Sequence, residues 1–232
     1  MRVVVLCGHA IFNKETKRWE GGFPGQEVAY EKQVQEAVKM VGSGILILSG
    51  GRTRPRLSCK KISEAEGIRD FIGERWSLSN IPNMILEKWA RDSFENIFFS
   101  ILACQSDLRE IPSEVILISF GFKSLRFQII ATTLGVPNFR FFGSGDKLLS
   151  SDKRIDALKS EAKLLENILE DPYHQRDFLK KKRAQRMPQN ISKEEYLATV
   201  KARYSKSEDV DLIDRIYKEG RGYKEAYLKN RI

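Results

Sequence analysis

Four short apolar runs of this sequence are each followed by glycines and by polar side chains of the kinds that bind ligands. Gly8 and His9 follow the first run, and two adjacent glycines follow the second. If the runs are parallel strands, their carboxyl ends meet at one edge of a sheet, and these residues converge there. The whole set comprises Gly8, His9, Ser49, Gly50, Gly51, Arg52, Glu87, Asp92, Asn96, Ser119, Lys123 and Arg126.

The cations in this set indicate a site for an anion. Lys123 and Arg126 stand three residues apart at a predicted helix start, so both side chains can face one crevice. Cations oppose the macrodipole at that end of a helix, and an anionic ligand would account for them; the alternative is a pair that faces solvent. The two adjacent glycines are predicted to offer backbone N–H groups to an anion, with Arg52 and Arg54 supplying charge. The alternative is an ordinary glycine turn with surface arginines.

Three side chains are candidates for proton transfer. Glu87 stands just past a predicted strand and caps no obvious helix, so we expect a general acid or base, or a group that binds a hydroxyl. An ion pair with Lys88 or Arg91 is the alternative. Glu64 is a second candidate, although a carboxylate at a helix start is also ordinary. His9 is the third, because it lies at the sheet edge expected to carry the chemistry, whereas a lone histidine is more often structural.

Other ionisable residues have simpler interpretations. Asp92 and Glu95 have capping roles at a predicted helix start, and His174 follows a helix-breaking Asp-Pro pair as a surface or cap residue. Cys59 lies near several cations that would lower the pKa of its thiol, but the sequence places no partner beside it. We therefore predict no cysteine chemistry.

The spacing of apolar residues predicts an α/β fold that brings the candidate residues together. Continuous runs rich in β-branched residues indicate buried parallel strands, and the segments between them have helical spacing. Capping boxes that begin at Ser63 and Asp92 support two helix starts. The prediction is a Rossmann-like, doubly wound, mainly parallel five-stranded sheet with a C-terminal helical appendage. Strands are predicted at 2–7, 45–48, 83–86, 114–119 and 138–142, and helices at 26–41, 63–75, 93–108 and 123–134.

The last third of the chain carries no strand signal. We predict a Rossmann-like domain over residues 1–148 and a helical, basic extension over 149–232, either packed on the sheet or trailing from it. Its basic charge is densest at 176–186, which is a candidate for binding nucleic acid; a solvated helix face is the alternative. Helices are predicted at 151–169, with apolar Ile155, Leu158, Ala162, Leu165, Ile168 and Leu169, and at 173–184, 192–204 and 210–217.

Composition restricts the class of protein. The chain has 232 residues, 41% of them hydrophobic, and a net charge of +9, so it can form a core and attract anions. No apolar run approaches the roughly 20 residues of a membrane-spanning helix, and the first residues are typical of a strand rather than of a signal peptide. Three irregularly spaced cysteines indicate neither a disulfide framework nor zinc. We expect a cytoplasmic protein and assign no metal-binding residue; two acidic clusters could hold Mg²⁺ beside a phosphate, but nothing in their spacing demands it.

Several blocks of the sequence, taken in order, resemble the SanA/YdcF/ElyC-like domain family. The resemblance covers roughly residues 1–145. The segments GHAIF and SFGFKSLRF are most similar to a soluble branch of the family found in fungi and other eukaryotes. The blocks are Gly8-His9-Ala10, Ser49-Gly50-Gly51, Ser63-Glu64-Ala65, Glu87, Asp92-Ser93-x-Glu95-Asn96 and Phe122-Lys123-x-x-Arg126.

The resemblance implies a Rossmann-like fold with its site at the carboxyl ends of the strands, and S-adenosylmethionine as a cofactor. In that arrangement the methionine carboxylate would meet the Gly50-Gly51 turn and Glu87 would contact the ribose. Bacterial members often have histidine where this chain has Lys123, which favours anion binding over proton transfer at that position. The envelope members carry an N-terminal membrane anchor, which we do not expect in this protein. The site residues implied by matched motif are Gly50, Gly51, Glu64, Glu87, Asn96, Ser119 and Arg126.

The leading hypothesis is therefore a transferase or hydrolase that acts on a phosphorylated or nucleotide-like small molecule. Glu87, Glu64 and His9 are its candidate catalytic residues, and the cations hold the anion. The alternatives are a nucleic-acid-binding protein that uses the basic run at 176–186, and a non-catalytic protein that uses the fold for protein contacts.

Overall fold

The apolar runs form a single parallel sheet in the computed structural model of the chain, which describes residues 1–22, 25–54, 61–76, 83–171, 177–188 and 191–219. Neighbouring strands follow the order β5-β4-β1-β6-β7, and all four pairings are parallel. The predicted fold class is confirmed. The strands are β1 Arg2–Cys7, β2 Ile11–Asn13, β3 Arg18–Glu20, β4 Ile45–Ser49, β5 Met84–Glu87, β6 Glu114–Ser119 and β7 Phe139–Gly143.

Helices cover both faces of this sheet because alternate strand residues point to opposite sides. Val4 and Leu6 pack with α1 and α2 on one face, whereas Val3 and Val5 pack with α3 and α4 on the other. The helices are α1 Glu27–Val41, α2 Glu64–Arg75, α3 Ser93–Leu108, α4 Ser124–Thr133, α5 Ser151–Glu170, α6 Asp177–Gln185, α7 Lys193–Arg203 and α8 Leu212–Asp214, which continues as a π-helical turn, Arg215–Glu219.

A small hairpin of β2 and β3, which the spacing of apolar residues did not predict, follows the first strand. The two strands pair antiparallel, with Phe12 opposite Trp19. Both rings contact Phe71 of α2, with centroid separations of 5.2 and 5.0 Å. Local spacing could not show this hairpin, because three-residue strands have too few alternations to register as a pattern.

The two predicted caps differ in their outcome. Ser63 and Glu66 form the complete capping box that the sequence predicted at the start of α2. Asp92 caps α3 by accepting from the Glu95 amide, but the Glu95 carboxylate accepts from Arg91 instead of closing a second box. A buried arginine is the stronger donor for that carboxylate.

The C-terminal third packs on the sheet. Its apolar side chains join the core formed by β1, α3 and α4, so the extension does not trail from the domain. The predicted apolar face of α5 is partly wrong, because Ile155, Leu158 and Leu169 are exposed while Leu164 and Ile168 are buried. The extension contributes Tyr196, Leu197, Val200, Tyr204, Leu212, Ile213 and Ile216 to this core.

Within the part of the chain that the structure describes, no helix is both long enough and apolar enough to cross a membrane.

Candidate functional site

His9, Ser119 and Lys123 form a chain of hydrogen bonds at the carboxyl edge of the sheet. His9 follows β1 and Ser119 ends β6, so two neighbouring strands bring them together. Ser119 Oγ lies 3.1 Å from His9 Nε2, and Lys123 Nζ lies 3.1 Å from His9 Nδ1. In its charged form Lys123 can only donate, so Nδ1 then accepts from it and the imidazole proton lies on Nε2, directed at Ser119.

Arg126 lies beside this chain and pairs with a carboxylate from the C-terminal third. Its Nη2 is 3.1 Å from Glu161 Oε2, and both side chains are buried. Among the residues that the structure describes, Arg126 Nε and Glu161 Oε1 have no hydrogen-bond partner. Buried polar atoms without partners lower the stability of the fold. They therefore suggest that another polar group, such as a ligand or a water molecule, binds at this position.

The charges of this cluster control its protonation. Burial, together with the charge of Arg126, lowers the pKa of Lys123 to about 7. The pKa of His9 lies well below its ordinary value because of burial, and the charges of Lys123 and Arg126 act in the same direction. His9 is therefore a neutral imidazole at neutral pH.

Gly8 and Gly50 make room for the Glu64 side chain at the start of α2. A Cβ atom on Gly8 would lie 2.5 Å from the Cβ of Glu64, and one on Gly50 would lie 2.8 Å from it. The Gly50 amide donates to the Glu87 carbonyl and the Gly51 amide to the Ala90 carbonyl. The expected backbone cradle for an anion is therefore not available from these two amides.

The backbone at the start of α4 is also engaged. The amides of Gly121 and Phe122 donate to the carboxylate of Asp146 at 2.5 and 3.1 Å. This carboxylate takes the position at the helix start that the sequence analysis assigned to a ligand anion. The amides of Gly121 and Phe122 are thus not available to an anion, whereas the side-chain cations at this edge are.

The Glu64 carboxylate faces the same edge from the other side. Thr53 Oγ1 donates to Oε1 at 2.5 Å, and Arg54 Nε lies 3.7 Å from that oxygen. Arg54 also donates to the His9 carbonyl at 3.1 Å. No residue that the structure describes donates to Glu64 Oε2, so this oxygen can accept a proton.

Glu87 lies below the edge and is fully buried. Ser49 Oγ donates to one carboxylate oxygen at 2.7 Å, and the amides of Trp89 and Ala90 donate to the other at 2.6 and 3.0 Å. Tyr204 OH is 3.3 Å from that second oxygen. Desolvation raises the pKa of Glu87 to about 7 despite these donors.

The predicted alternative partners of Glu87 bind other carboxylates. Lys88 lies 3.2 Å from Glu66, and Arg91 makes a buried ion pair with Glu95 at 2.6 Å. An ion pair with either cation therefore does not account for Glu87.

The N-terminus of α3 anchors the C-terminal third. Asp92 accepts from Arg183 Nε at 2.7 Å, and Glu95 accepts from Tyr217 OH at 2.5 Å. These two acidic residues are thus the anchor of the extension in addition to their capping role. Sequence reasoning missed Arg183, Tyr204 and Glu161, because nothing in their local spacing distinguishes them from solvated side chains.

The remaining candidates lie at varied distances from this edge. Asn96 contacts Ser49 Oγ through its side-chain oxygen at 3.0 Å, while Arg52 is exposed. Cys59 and His174 lie outside the described residues. Burial raises the pKa of the Cys7 thiol to about 12, which makes it unreactive.

The arrangement implied for S-adenosylmethionine does not fit these residues. The Gly50 and Gly51 amides are already bonded, and Glu87 is enclosed by its own donors. The ligand also carries a sulfonium charge, which a cluster of cations disfavours. No group of three or more histidine, cysteine, aspartate or glutamate side chains within the described ranges could hold a metal ion.

Two open clefts lie elsewhere on the molecule. One of about 430 Å³ lies between α5 and α6, and one of about 390 Å³ lies where α7 meets the end of α3. Neither is lined by the candidate residues at the strand edge.

Comparison of the chain with protein-family models, with curated proteins and with solved structures finds no match.

Proposed function

We propose that this chain binds a phosphorylated or nucleotide-like small molecule at the carboxyl edge of its sheet and acts on it as a transferase or hydrolase. The observation that carries the proposal is the cluster of Lys123 and Arg126 beside neutral His9. Among the residues that the structure describes, the one carboxylate that pairs with this cluster is Glu161, and its partner there is Arg126. Arg126 is buried and Lys123 is half-buried, and proteins rarely keep cations in such positions without an anion to balance them.

The surplus positive charge favours an anionic ligand over a neutral one. Burial and mutual repulsion both disfavour charged Lys123, so the free protein is destabilised by that charge at neutral pH. A bound phosphate would reverse this penalty and raise the pKa of Lys123. The resemblance to the SanA/YdcF/ElyC-like family supports the same edge of the sheet, and we propose membership in it.

The neighbouring side chains have distinct roles in this proposal. His9 donates its Nε2 proton to Ser119 Oγ, so the Ser119 hydroxyl is left to donate to the ligand. Glu64 Oε2 is the group that takes a proton from the attacking water or hydroxyl. His9 is a poor base, because the neighbouring cations oppose formation of its imidazolium.

The test is a thermal-shift series on the full chain with phosphate, sugar phosphates, nucleotides and S-adenosylmethionine. A phosphorylated ligand at a hundred times its dissociation constant should add about 2.7 kcal/mol to the free energy of unfolding. In Lys123→Met we expect no shift, although the ligand-free variant should be at least as stable as the wild type. The matched control is Lys159→Met, which removes an exposed lysine of α5 and should bind normally.

Two results would contradict the proposal. One is the absence of a shift with every phosphorylated compound, and the other is an undiminished shift in Lys123→Met. Glu64→Gln tests the catalytic step separately, because it should retain the shift while turnover falls at least a hundredfold.

A further inference from the structure

The basic run that precedes residue 187 is divided between two faces of α6. Residues at positions 179, 182 and 183 share one face of α6, since they are spaced by three or four, and Arg186 lies in the turn that directly follows the helix. Leu179 and Arg183 are buried and Lys182 is partly buried, whereas Lys180 and Lys181 are exposed. Much of the charge of this run is therefore turned towards the protein.

Three contacts hold the inward face of α6 close to the strand edge. Leu179 packs with Leu164 and Ile168 of α5, the helix that also carries the carboxylate partner of Arg126. Arg183 donates to Asp92 at 2.7 Å, and Arg186 Nη1 donates to the Arg91 carbonyl at 2.6 Å. The residues between these anchors consequently lie over the same edge as the cation cluster.

Pairing of charges leaves three cations of this region unbalanced. Arg126 pairs with Glu161, Arg183 with Asp92 and Arg54 with Glu64. Within the described part of the chain, no carboxylate lies within 4 Å of the remaining cations, which are Lys123, Lys182 and Arg186.

We propose, on the basis of the function proposed above, that Lys182 and Arg186 form the outer half of the anion site and that its ligand carries two linked phosphate groups, as a nucleoside diphosphate does. A single phosphate group carries a charge of about −1.5 to −2, which balances fewer than three cations. Two linked phosphate groups match the charge of these three cations more closely.

The electrostatics of Lys182 agree with this placement. Burial, together with the charges of Arg186 and Arg126, lowers its pKa to about 8. A diphosphate bound between these cations would raise that pKa again, so binding at pH 8 should take up protons from the buffer.

Calorimetric titration of the full chain with pyrophosphate and with orthophosphate tests the inference. The wild type should bind pyrophosphate at least tenfold more tightly than orthophosphate. Lys182→Met should raise the dissociation constant of pyrophosphate at least fivefold and change that of orthophosphate less than twofold. Arg186→Gln, which keeps a donor for the Arg91 carbonyl, should behave in the same way.

Lys181→Met is the matched control, because it removes one lysine from the exposed face of the same helix. Equal weakening of pyrophosphate by Lys181→Met and Lys182→Met would overturn the inference, since a general positive field would then attract the anion, as on a nucleic-acid-binding surface. Unchanged pyrophosphate binding in Lys182→Met, together with its loss in Lys123→Met, would also overturn it but leave the proposed function standing. If the wild-type protein binds neither pyrophosphate nor orthophosphate, the proposed function itself is wrong.

Discussion

Glu87 lies where a catalytic residue is expected, but its contacts are those of a buried structural carboxylate. It ends β5 at the strand edge, where catalytic residues of α/β proteins stand, yet it is fully buried and accepts from Ser49, from two backbone amides and from Tyr204. Donors of this kind stabilise the carboxylate, while desolvation disfavours its charge, and desolvation has the larger effect on its pKa.

The pKa of Glu87 leads to a stability prediction with a definite sign. Because the pKa is raised from 4.5 to about 7, the folded state binds a proton between these values that the unfolded state has lost. The contribution of Glu87 to stability is therefore fully present below pH 4.5 and is lost as the pH rises through 7. We expect the free energy of unfolding of the wild type, relative to Glu87→Gln, to fall by up to about 3 kcal/mol between pH 4.5 and 8.

Urea unfolding at several pH values measures this difference, with Glu87→Leu as a second variant. Leucine leaves the amides of Trp89 and Ala90 without an acceptor, whereas Ser49 keeps the side-chain oxygen of Asn96, so Glu87→Leu should be about 1–3 kcal/mol less stable than Glu87→Gln at every pH. A pH-independent difference between the wild type and Glu87→Gln would show that Glu87 is ionised throughout. Turnover that is lost in Glu87→Gln at unchanged stability would instead assign it the catalytic role that the sequence suggested.

At the scale of elements, close approach determines how α2 meets the sheet. The Glu64 and Ala65 amides donate to the Gly51 and Gly50 carbonyls, so the helix begins directly on the end of β4. Glycine is required where this contact leaves no room for a Cβ atom. Gly50 and Gly51, which in the sequence suggest an anion-binding turn, instead accept hydrogen bonds from the first amides of α2.

Gly8→Ala should therefore displace Glu64 and cost about 1–3 kcal/mol of stability. A double-mutant cycle with Glu64→Gly separates the steric contact from other effects, because removal of the Glu64 Cβ should relieve much of the cost of the Gly8→Ala substitution. Denaturant unfolding of the four proteins provides the coupling free energy. Strictly additive costs would mean that the two residues do not touch.

At the scale of the whole molecule, the helical extension is part of the core. It supplies seven buried apolar side chains to the cluster that covers β1 and α3, and it places Tyr204 on Glu87. Burial of that many apolar side chains contributes about 10 kcal/mol or more, comparable with the whole stability of an ordinary domain.

A fragment of residues 1–148 should accordingly fail to fold cooperatively, even though it contains all five strands of the sheet. We expect low solubility, binding of a hydrophobic dye, and no sigmoidal urea transition. The full chain measured in parallel is the control. A fragment that unfolds cooperatively with the same midpoint as the full chain would show that the extension adds nothing to the core.

The alternation of apolar runs and helix-spaced segments was enough to predict the parallel sheet, its five strands and the edge where polar residues gather. These features depend on residue periodicity over short windows, which the sequence displays directly. The capping box of Ser63 is local in the same sense, and it was predicted correctly.

Contacts between distant parts of the chain could be decided only by tertiary structure. Arg126 pairs with Glu161 and Asp92 pairs with Arg183, while Glu87 accepts a hydrogen bond from Tyr204. Each contact joins residues far apart in the sequence, and local residue spacing does not indicate how the helices that carry them pack. The same holds for the amides at Gly50 and Gly51, which look available in the sequence and are bonded in the fold. A pattern of residue types shows which groups could interact, whereas the geometry of packing determines which donors, acceptors and charges remain for a ligand.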